Sequence, residues 1–299
     1  MIGKIEFIQR PHCELCGAQQ PATLLARPFT DPAVWSFIER YYEGRVDKSA
    51  LDGAAYELAC CPNCGFIWQK HILNDSGMAL LYDTWIAPDN SLKKKQSINI
   101  APGYLRQAEL MRLLMSSRHP QDIRVLDFGM GWGYWCKAAQ SLGYQVVGLE
   151  LAESRIAFAR EQGIEAVQTL DELSGRTFDF INAEQVFEHI PRPLETLKTL
   201  CAYLSDNGVI RIAVPDGANI AQEVAQPTWT ASKNAVHPLE HINCFTHATL
   251  SRLGTEAGLS VIPQPINLTL RYGVASLLRG IAASTYRRFA GTAIYFRKE

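Results

Sequence analysis

From residue 123 onward, segments with strand character alternate with segments of helical length, and this alternation constrains the fold more than any other feature. Strand character is found in IRVLDF, YQVVGLE, EAVQT, TFDFINA, GVIRIAVP, LSVIP and GTAIYFRKE. Helices of about 10–15 residues fit between most of them, and strands connected in this way pair in parallel. The sequence therefore predicts an α/β fold, with a doubly wound, mostly parallel seven-stranded sheet covered by helices on both faces.

Two cysteine motifs precede this region. Cys13-Glu-Leu-Cys16-Gly and Cys61-Pro-Asn-Cys64-Gly are each a C-x-x-C pair followed by glycine. The two-residue gap lets both thiolates turn onto one ion, and the glycine permits the tight backbone that follows. We expect a closed, structural zinc site with four cysteine ligands. Ordinary buried cysteines or a redox pair remain alternatives, and Cys60 could replace its neighbour.

Three consecutive segments are expected along the chain. Residues 1–75 would form a small zinc-binding domain resembling a zinc ribbon, 76–101 a helical linker or lid, and 102–299 the α/β domain. A basic turn at 89–95 is interpreted either as a mobile lid that attracts an anionic substrate or as a solvated loop. A polar loop of this kind is more often solvated than functional.

A glycine-rich loop, VLDFGMGWGYW, ends the first strand of the α/β region and opens its first helix. Its core is Asp127-x-Gly129-x-Gly131-x-Gly133, and Glu150 ends the second strand. Glycines let a ligand approach the backbone, and an acidic residue at this strand end can accept hydrogen bonds from ribose hydroxyls. A dinucleotide loop has the spacing G-x-G-x-x-G. This loop differs in spacing and begins with a carboxylate, which favours a cationic ligand over a pyrophosphate.

In these residues, and in FDFINAEQVFEHIPRP, the chain resembles the class I S-adenosylmethionine-dependent methyltransferases over roughly residues 100–299. The resemblance implies a Rossmann-like fold and S-adenosylmethionine as cofactor. The methionine part would lie beside Asp127 and the loop glycines, with Trp132 narrowing the pocket. A Rossmann-like fold that binds another ligand is the alternative. The remaining implied contacts are the ribose with Glu150, the adenine with Leu151 and Asp171, and the sulfonium side with Glu184 and Gln185.

The stretch HPLEHINCFT begins with a match to H-x-x-E-H, a zinc metalloprotease pattern;. Zinc ligation would require His237 and His241 on one face of a helix, and Pro238 disfavours helical geometry at that point. The alternatives are polar loop residues without chemistry and a general base. A histidine suits the last role because its pKa lies near 7. We expect His241 to be the base, assisted by Glu240, with His189 of the Glu188-His189 pair as a second candidate.

The four-cysteine module followed by a class I domain is similar to the deoxysugar C-methyltransferases, in which a Glu-His pair at the position of Glu240-His241 works as base and partner. The resemblance implies a sugar or sugar-derived acceptor. Two departures leave methylation of oxygen or carbon open. Pro238 stands where that family has a tyrosine, and the sequence given lacks the family's additional C-terminal domain.

Composition narrows the partners. The 299 residues are 47% hydrophobic with a formal net charge of −1, so bulk charge does not indicate nucleic acid binding;. No apolar run approaches the ~20 residues of a membrane span, and the start lacks the apolar region of a signal peptide. We expect a cytoplasmic enzyme with a small-molecule acceptor. The basic segment 271–299 is either a solvated helix or a peripheral membrane contact. A non-catalytic, cofactor-sensing module remains the alternative.

Overall fold

The computed structural model describes residues 4–86, 101–265 and 292–299. The basic turn at 89–95 and most of the basic segment 271–299 lie outside these residues. The described chain forms two compact units. The first contains residues 4–86, 187–194 and 215–249, and the second contains 101–186, 195–214, 250–265 and 292–299.

The second unit contains the predicted seven-stranded sheet. The strand order is β12-β13-β10-β9-β6-β7-β8. Five strands are parallel, and β13 is antiparallel to both of its neighbours. The predicted fold class is therefore confirmed. The strands are β6 Arg124–Phe128, β7 Gln145–Leu149, β8 Glu165–Val167, β9 Phe178–Glu184, β10 Leu204–Ala213, β12 Leu259–Ile262 and β13 Ala293–Lys298.

Eight α-helices lie in the described residues. They are α1 Pro32–Tyr41, α2 Asp75–Leu80, α3 Ala101–Leu114, α4 Tyr134–Ser141, α5 Glu153–Glu161, α6 Pro193–Ala202, α7 Ile220–Val224 and α8 His247–Glu256. None of these helices has the length and apolar character of a membrane span. Helices α3, α4 and α5 contribute Met111, Trp135 and Ile156 to one core cluster of the second unit, together with Phe180 of β9.

The first unit contains two antiparallel sheets. One pairs β1 Phe7–Gln9 with β5 His71–Leu73, and the other has the order β11-β4-β3-β2. The strands of the second sheet are β2 Ala22–Pro28, β3 Ala55–Cys60, β4 Ile67–Gln69 and β11 Asn243–Cys244. Helix α1 starts with Asp31 as N-cap, whose side chain accepts a hydrogen bond from the Ala33 N–H, and with Pro32 in its first turn;.

The two units differ from the three consecutive segments expected from the sequence. Strand β11 pairs with β4, with Asn243 opposite Trp68, and so adds a late segment to the N-terminal sheet. Val236 and Trp229 join Phe37 and Tyr56 in the core of this unit. A cysteine-rich piece of 75 residues buries little apolar surface alone, and these later residues enlarge its core.

Candidate active site

The glycine-rich loop has the backbone that its sequence demands. Gly129, Gly131 and Gly133 all have positive φ, at 76°, 56° and 74°. A Cβ on Gly129 would stand 2.5 Å from a methyl carbon of Val186, and one on Gly133 would stand 2.7 Å from Ile164. The left-handed conformation and the close packing both explain why glycine occupies these positions.

Asp127, at the carboxyl end of β6, is buried and held from two sides. Its Oδ1 accepts a hydrogen bond of 2.8 Å from the Asn182 amide, and its Oδ2 lies 3.3 Å from the Cys136 thiol. Asn182 also accepts 2.8 Å from Arg211, which forms an ion pair with Glu184. These contacts join Asp127 and the partly exposed Glu184, two predicted cofactor residues, in one polar network.

The sequence analysis missed the members of this network that are not acidic. Asn182 and Arg211 lie within the apolar runs 180–183 of β9 and 209–213 of β10, and are almost fully buried. A buried polar residue requires a partner, so a lone polar position in such a strand is the signal that could have identified them.

Glu150 follows β7 and is also buried at 8% exposure. Its Oε2 accepts a hydrogen bond of 3.0 Å from the Gly131 N–H, and its Oε1 accepts hydrogen bonds from the N–H groups of Leu151 and Ala152. Arg155 approaches the same carboxylate at 3.5 Å. A carboxylate has about four lone-pair positions, so the three hydrogen bonds orient it and leave about one position, on Oε2, for a further donor.

The other predicted cofactor residues follow strands β6 to β9 along the chain. Leu151 follows Glu150 and is 73% exposed, while Asp171 begins an exposed 3₁₀ turn after β8. Trp132 is buried and packs edge-to-face on Phe158 at 5.3 Å. Gln185, directly after β9, has a positive φ of 57° and donates its N–H to the Ala213 carbonyl.

Tyr104 on α3 is another residue that the sequence analysis missed. Burial raises the pKa of its hydroxyl, and the negative charges of Glu184 and Asp127 raise it further. The Tyr104 hydroxyl therefore stays protonated near neutral pH, and its pKa is raised by the charges of both Glu184 and Asp127.

The four cysteines of the two C-x-x-C motifs converge in the first unit. Their four Sγ atoms all lie within 4.8 Å of one another. The Cys13 and Cys64 sulfurs are 3.6 Å apart, and those of Cys16 and Cys61 are 3.5 Å apart. Cys60 lies outside the cluster, so the standard spacing is the one observed.

The two knuckles share a backbone pattern. Gly17 and Gly65 have φ of 69° and 73°, and each donates its N–H to the carbonyl of the first cysteine of its pair. Burial raises the pKa of Cys64 to about 12, whereas hydrogen bonds outweigh burial and lower that of Cys16 to about 7. Four thiols at this spacing, with mutual contacts of about 3.5 Å, fit the donor set of a closed tetrahedral zinc site.

The HPLEH stretch is a tight turn and not a helix. Leu239 has a φ of 74°, and the His241 N–H reaches the His237 carbonyl at 3.3 Å. The absence of a helix agrees with the argument from Pro238, but the turn still brings the two imidazoles together, with ring centroids 3.7 Å apart. The proximity of these two rings therefore does not depend on a shared helical face.

A third imidazole completes this group. The His189 ring, on a 3₁₀ turn at Phe187–His189, lies 5.0 Å from that of His241. The Nδ1 atoms of His237 and His241 both contact the Asn234 carbonyl, at 3.2 and 2.7 Å, and Nδ1 of His189 contacts the Glu240 carbonyl at 2.9 Å. A carbonyl can only accept, so each Nδ1 carries a proton.

Glu240 lies beside a different histidine from the one expected, whereas Glu188 lies beside His189 as expected. Glu240 accepts a hydrogen bond of 2.9 Å from the Tyr42 hydroxyl and lies 3.5 Å from Nε2 of His237. Among the described residues no ion pair joins it to His241. Glu188 lies 3.7 Å from Nε2 of His189. Glu240 thus does not pair with His241 as predicted. Its carboxylate contacts His237, and its main-chain carbonyl contacts His189.

The histidines also differ in their electrostatic environment. Burial lowers the pKa of His241 to about 2, and the neighbouring His237 and His189 add to this effect. The side chain of His189 is 22% exposed and that of Glu188 is 1% exposed. Glu188, His189 and His241 also offer ligand atoms within 4.8 Å of one another, a spacing that a metal ion could use.

Comparison with known proteins decides the family. A family model described as a methyltransferase domain matches residues 103–264, which is more than half of the 299 residues. The chain belongs to this methyltransferase family. The predicted resemblance to class I S-adenosylmethionine-dependent methyltransferases is thereby confirmed.

Two relatives of this methyltransferase-family chain are ubiquinone biosynthesis O-methyltransferases. The one from Maricaulis maris is 31% identical over 140 residues, covering 43% of this chain and 55% of that protein. The one from Bradyrhizobium diazoefficiens is 29% identical over 141 residues, covering 43% and 56%. The chain spans about half the length of these curated relatives.

Solved methyltransferase structures are also similar to it. The plantazolicin methyltransferase BamL, in complex with a triazolic desmethyl analogue and SAH, is 17% identical with a TM-score of 0.48, covering 71% of this chain and 89% of that one. CalS10, an amino pentose methyltransferase from Micromonospora echinaspora, is 21% identical with a TM-score of 0.36, covering 44% and 61%.

Proposed function

We propose that this chain is an S-adenosylmethionine-dependent methyltransferase that transfers a methyl group to oxygen or carbon of a small hydroxylated acceptor of the sugar-containing class. The observation that supports it best is the arrangement at the carboxyl ends of β6 and β7. Asp127 and Glu150, both buried and both oriented by hydrogen bonds, flank a loop of left-handed glycines. In open α/β sheets, ligands bind at this edge.

The cofactor, when bound, supplies an electrophilic methyl group on a sulfonium. Asp127 and Glu184 would provide negative charge for the cationic part, with Tyr104 as a neutral donor beside them. Glu150 would accept hydrogen bonds from the ribose, and the exposed Leu151 would cover the adenine. Asp171 and Gln185 are proposed for the adenine amine and the sulfonium side.

For the proton, we propose the histidine group of the first unit. A hydroxyl acceptor must lose its proton when its oxygen is methylated, and Nε2 of a histidine in this group would accept that proton. His189 is favoured over the expected His241 because it is more exposed and has a carboxylate, Glu188, beside that nitrogen. Its cation would be stabilised there, whereas the buried His241 disfavours a positive charge;. Glu240 would hold the His189 ring through its carbonyl.

We also propose that Cys13, Cys16, Cys61 and Cys64 hold a structural Zn²⁺. A closed set of four thiolates leaves no open position for a substrate, so the ion would stabilise the first unit without taking part in the chemistry. Its support is the convergence of the four sulfurs and the matching backbone of the two knuckles.

Calorimetric titration with S-adenosylmethionine and S-adenosylhomocysteine tests the cofactor site. We expect both to bind, Glu150→Ala to weaken both, and Glu153→Ala, an exposed glutamate three residues on, to leave both unchanged. Absence of binding of either compound to the wild-type chain would refute the proposal. A screen of hydroxylated acceptors, with product mass as readout, then separates an enzyme from a module that only senses the cofactor.

A further inference from the structure

Three buried polar side chains of the first unit converge on the two segments that carry the histidines. Arg10, Gln69 and Asn243 are 3%, 1% and 1% exposed. None of them touches a histidine ring in the described contacts. Their hydrogen bonds go to the main-chain carbonyls on either side of the histidines, and to each other.

The His189 segment is held by Asn243 and Arg10. The Asn243 amide donates to the carbonyls of Phe187 and Ile190, at 2.9 and 2.6 Å. Nη2 of Arg10 donates to the Pro191 carbonyl at 2.8 Å and to Oδ1 of Asn243 at 2.7 Å. The main chain is therefore tied on both sides of His189.

The turn that carries His237 and His241 is held by Gln69 and by the same arginine. The Gln69 amide donates to the carbonyls of both histidines, at 3.0 Å each. Nη1 of Arg10 donates to the Ile242 carbonyl at 3.0 Å, and the Gln69 N–H reaches the same oxygen at 2.9 Å. Arg10 is thus the one residue of the three that bonds to both segments.

Stability of the fold alone does not explain a buried arginine at position 10. Burial of a guanidinium carries a large desolvation penalty, and apolar residues of similar volume often stabilise as well or better. Burial lowers the pKa of Arg10 to about 10, against the opposing effect of Glu14, so the group stays charged near neutral pH. A charged fork with defined directions gives geometric specificity that apolar packing does not.

We propose that Arg10, Gln69 and Asn243 are positioning residues that fix the main chain around His189 and His241 and thereby the placement of their rings. The inference rests on the proposed function of those histidines. It also gives the four-cysteine module a second role. Arg10 precedes Cys13 by three residues, and Gln69 lies on β4, which follows Cys64. The segment that leads into the first knuckle carries Arg10, and the strand that follows the second knuckle carries Gln69.

Histidine-selective ¹⁵N NMR tests this without an acceptor. The full chain is labelled, the seven histidines are assigned by single His→Gln variants, and spectra of Gln69→Met and Gln19→Met are compared. Gln69→Met keeps the length of the side chain and removes both donors, so the ring signals of His237 and His241 should shift. Gln19→Met alters an exposed position of the same unit and should leave them unchanged.

Zinc content and S-adenosylmethionine affinity accompany each spectrum. If Gln69→Met keeps both and its histidine signals coincide with those of the wild type, the positioning role is refuted. Should that variant fail to fold, Arg10→Lys keeps the charge and loses the fork. It should shift the signals of His189 and His241 together, and unchanged signals would refute the proposal equally.

Kinetics give the second readout once an acceptor is known. Displacing a catalytic group by about 1 Å can cost about 10²-fold in rate. Arg10→Lys should therefore lower kcat by about this factor while the affinity for S-adenosylmethionine is unchanged, and an unchanged kcat would count against positioning. Failure of the wild-type chain to bind cofactor or form product would refute the proposed function instead, and the NMR comparison would still stand.

Discussion

Tyr42→Phe removes a single hydroxyl from the buried end of α1 and tests whether Glu240 is ionised in the folded protein. The hydroxyl donates to Glu240 at 2.9 Å, and Tyr42 is 1% exposed. Attraction from His237 and the hydrogen bonds outweigh burial and lower the pKa of Glu240. The carboxylate therefore carries its charge near pH 7 and accepts a charge-assisted hydrogen bond.

Tyr56→Phe is the matched control. Tyr56 is also fully buried, but its hydroxyl donates to the Val236 carbonyl, a neutral acceptor. Hydrogen bonds to charged groups contribute about 1.5–3 kcal/mol, and neutral ones about 0.5–1.5 kcal/mol. Both substitutions remove the same atom, so the change in cavity is similar. We expect Tyr42→Phe to lower the free energy of unfolding by about 2 kcal/mol and Tyr56→Phe by about 1 kcal/mol.

Urea unfolding followed by tryptophan fluorescence measures the difference. The first unit holds four of the six tryptophans, at positions 35, 68, 85 and 229, so its transition dominates the signal. Equal losses in the two variants would show that Tyr42 faces a neutral acceptor, and the ionised state of Glu240 would be refuted. A change in the slope of the transition would show altered cooperativity and would exclude a simple comparison.

Three further outcomes follow from the site. Metal analysis should find about one zinc per chain, which Cys64→Ser loses and Cys60→Ser retains; retention in both would refute the four-cysteine assignment. Gly129→Ala and Gly163→Ala both place a side chain at a positive φ, but only the first meets a neighbouring side chain, so thermal unfolding should show a loss of about 1 kcal/mol for Gly163→Ala and more for Gly129→Ala;. Asn182→Leu removes the amide that holds the Asp127 carboxylate at the start of the glycine-rich loop. It should therefore weaken S-adenosylmethionine binding in calorimetry, and unchanged affinity would exclude Asp127 from the cofactor site.

The sequence was sufficient to predict the sheet and the local backbone of the glycine-rich loop and of each C-x-x-C pair. Alternation of segments, glycine spacing and paired cysteines are local patterns, and each reports a local backbone requirement. Gly131 and Gly133 illustrate this, since their positive φ follows directly from the loop that their spacing predicted.

The partners of the histidines could not be predicted in the same way. Tyr42 reaches Glu240 across 198 positions, and Arg10 reaches Asn243 across 233. Such contacts depend on β11 joining the N-terminal sheet, which no local pattern announces. The proximity of His237 and His241 has the same origin: no helix forms at Pro238, as expected, and a turn with Leu239 at positive φ brings the two rings together instead.

The burial of His241 makes a pH prediction that is independent of any substrate. The pKa of its imidazole is lowered from 6.5 to about 2, first by burial and then by the neighbouring imidazoles, while the unfolded chain keeps the ordinary value. Below pH 6.5 the imidazole is therefore protonated in the unfolded state and neutral in the folded state, so the free energy of unfolding falls as the pH falls. The slope is about 1.4 kcal/mol per pH unit, or about 2 kcal/mol between pH 6.5 and 5.0.

His241→Gln removes this dependence. Urea unfolding at pH 7.5 and 5.0 should show that the wild type loses about 2 kcal/mol more than the variant on acidification. His12→Gln, at an exposed position of the same unit, is the control and should follow the wild type. If His241→Gln also follows the wild type, His241 accepts a proton in the folded state. The proton transfer proposed for His189 would then return to His241, the histidine that the sequence pattern favours.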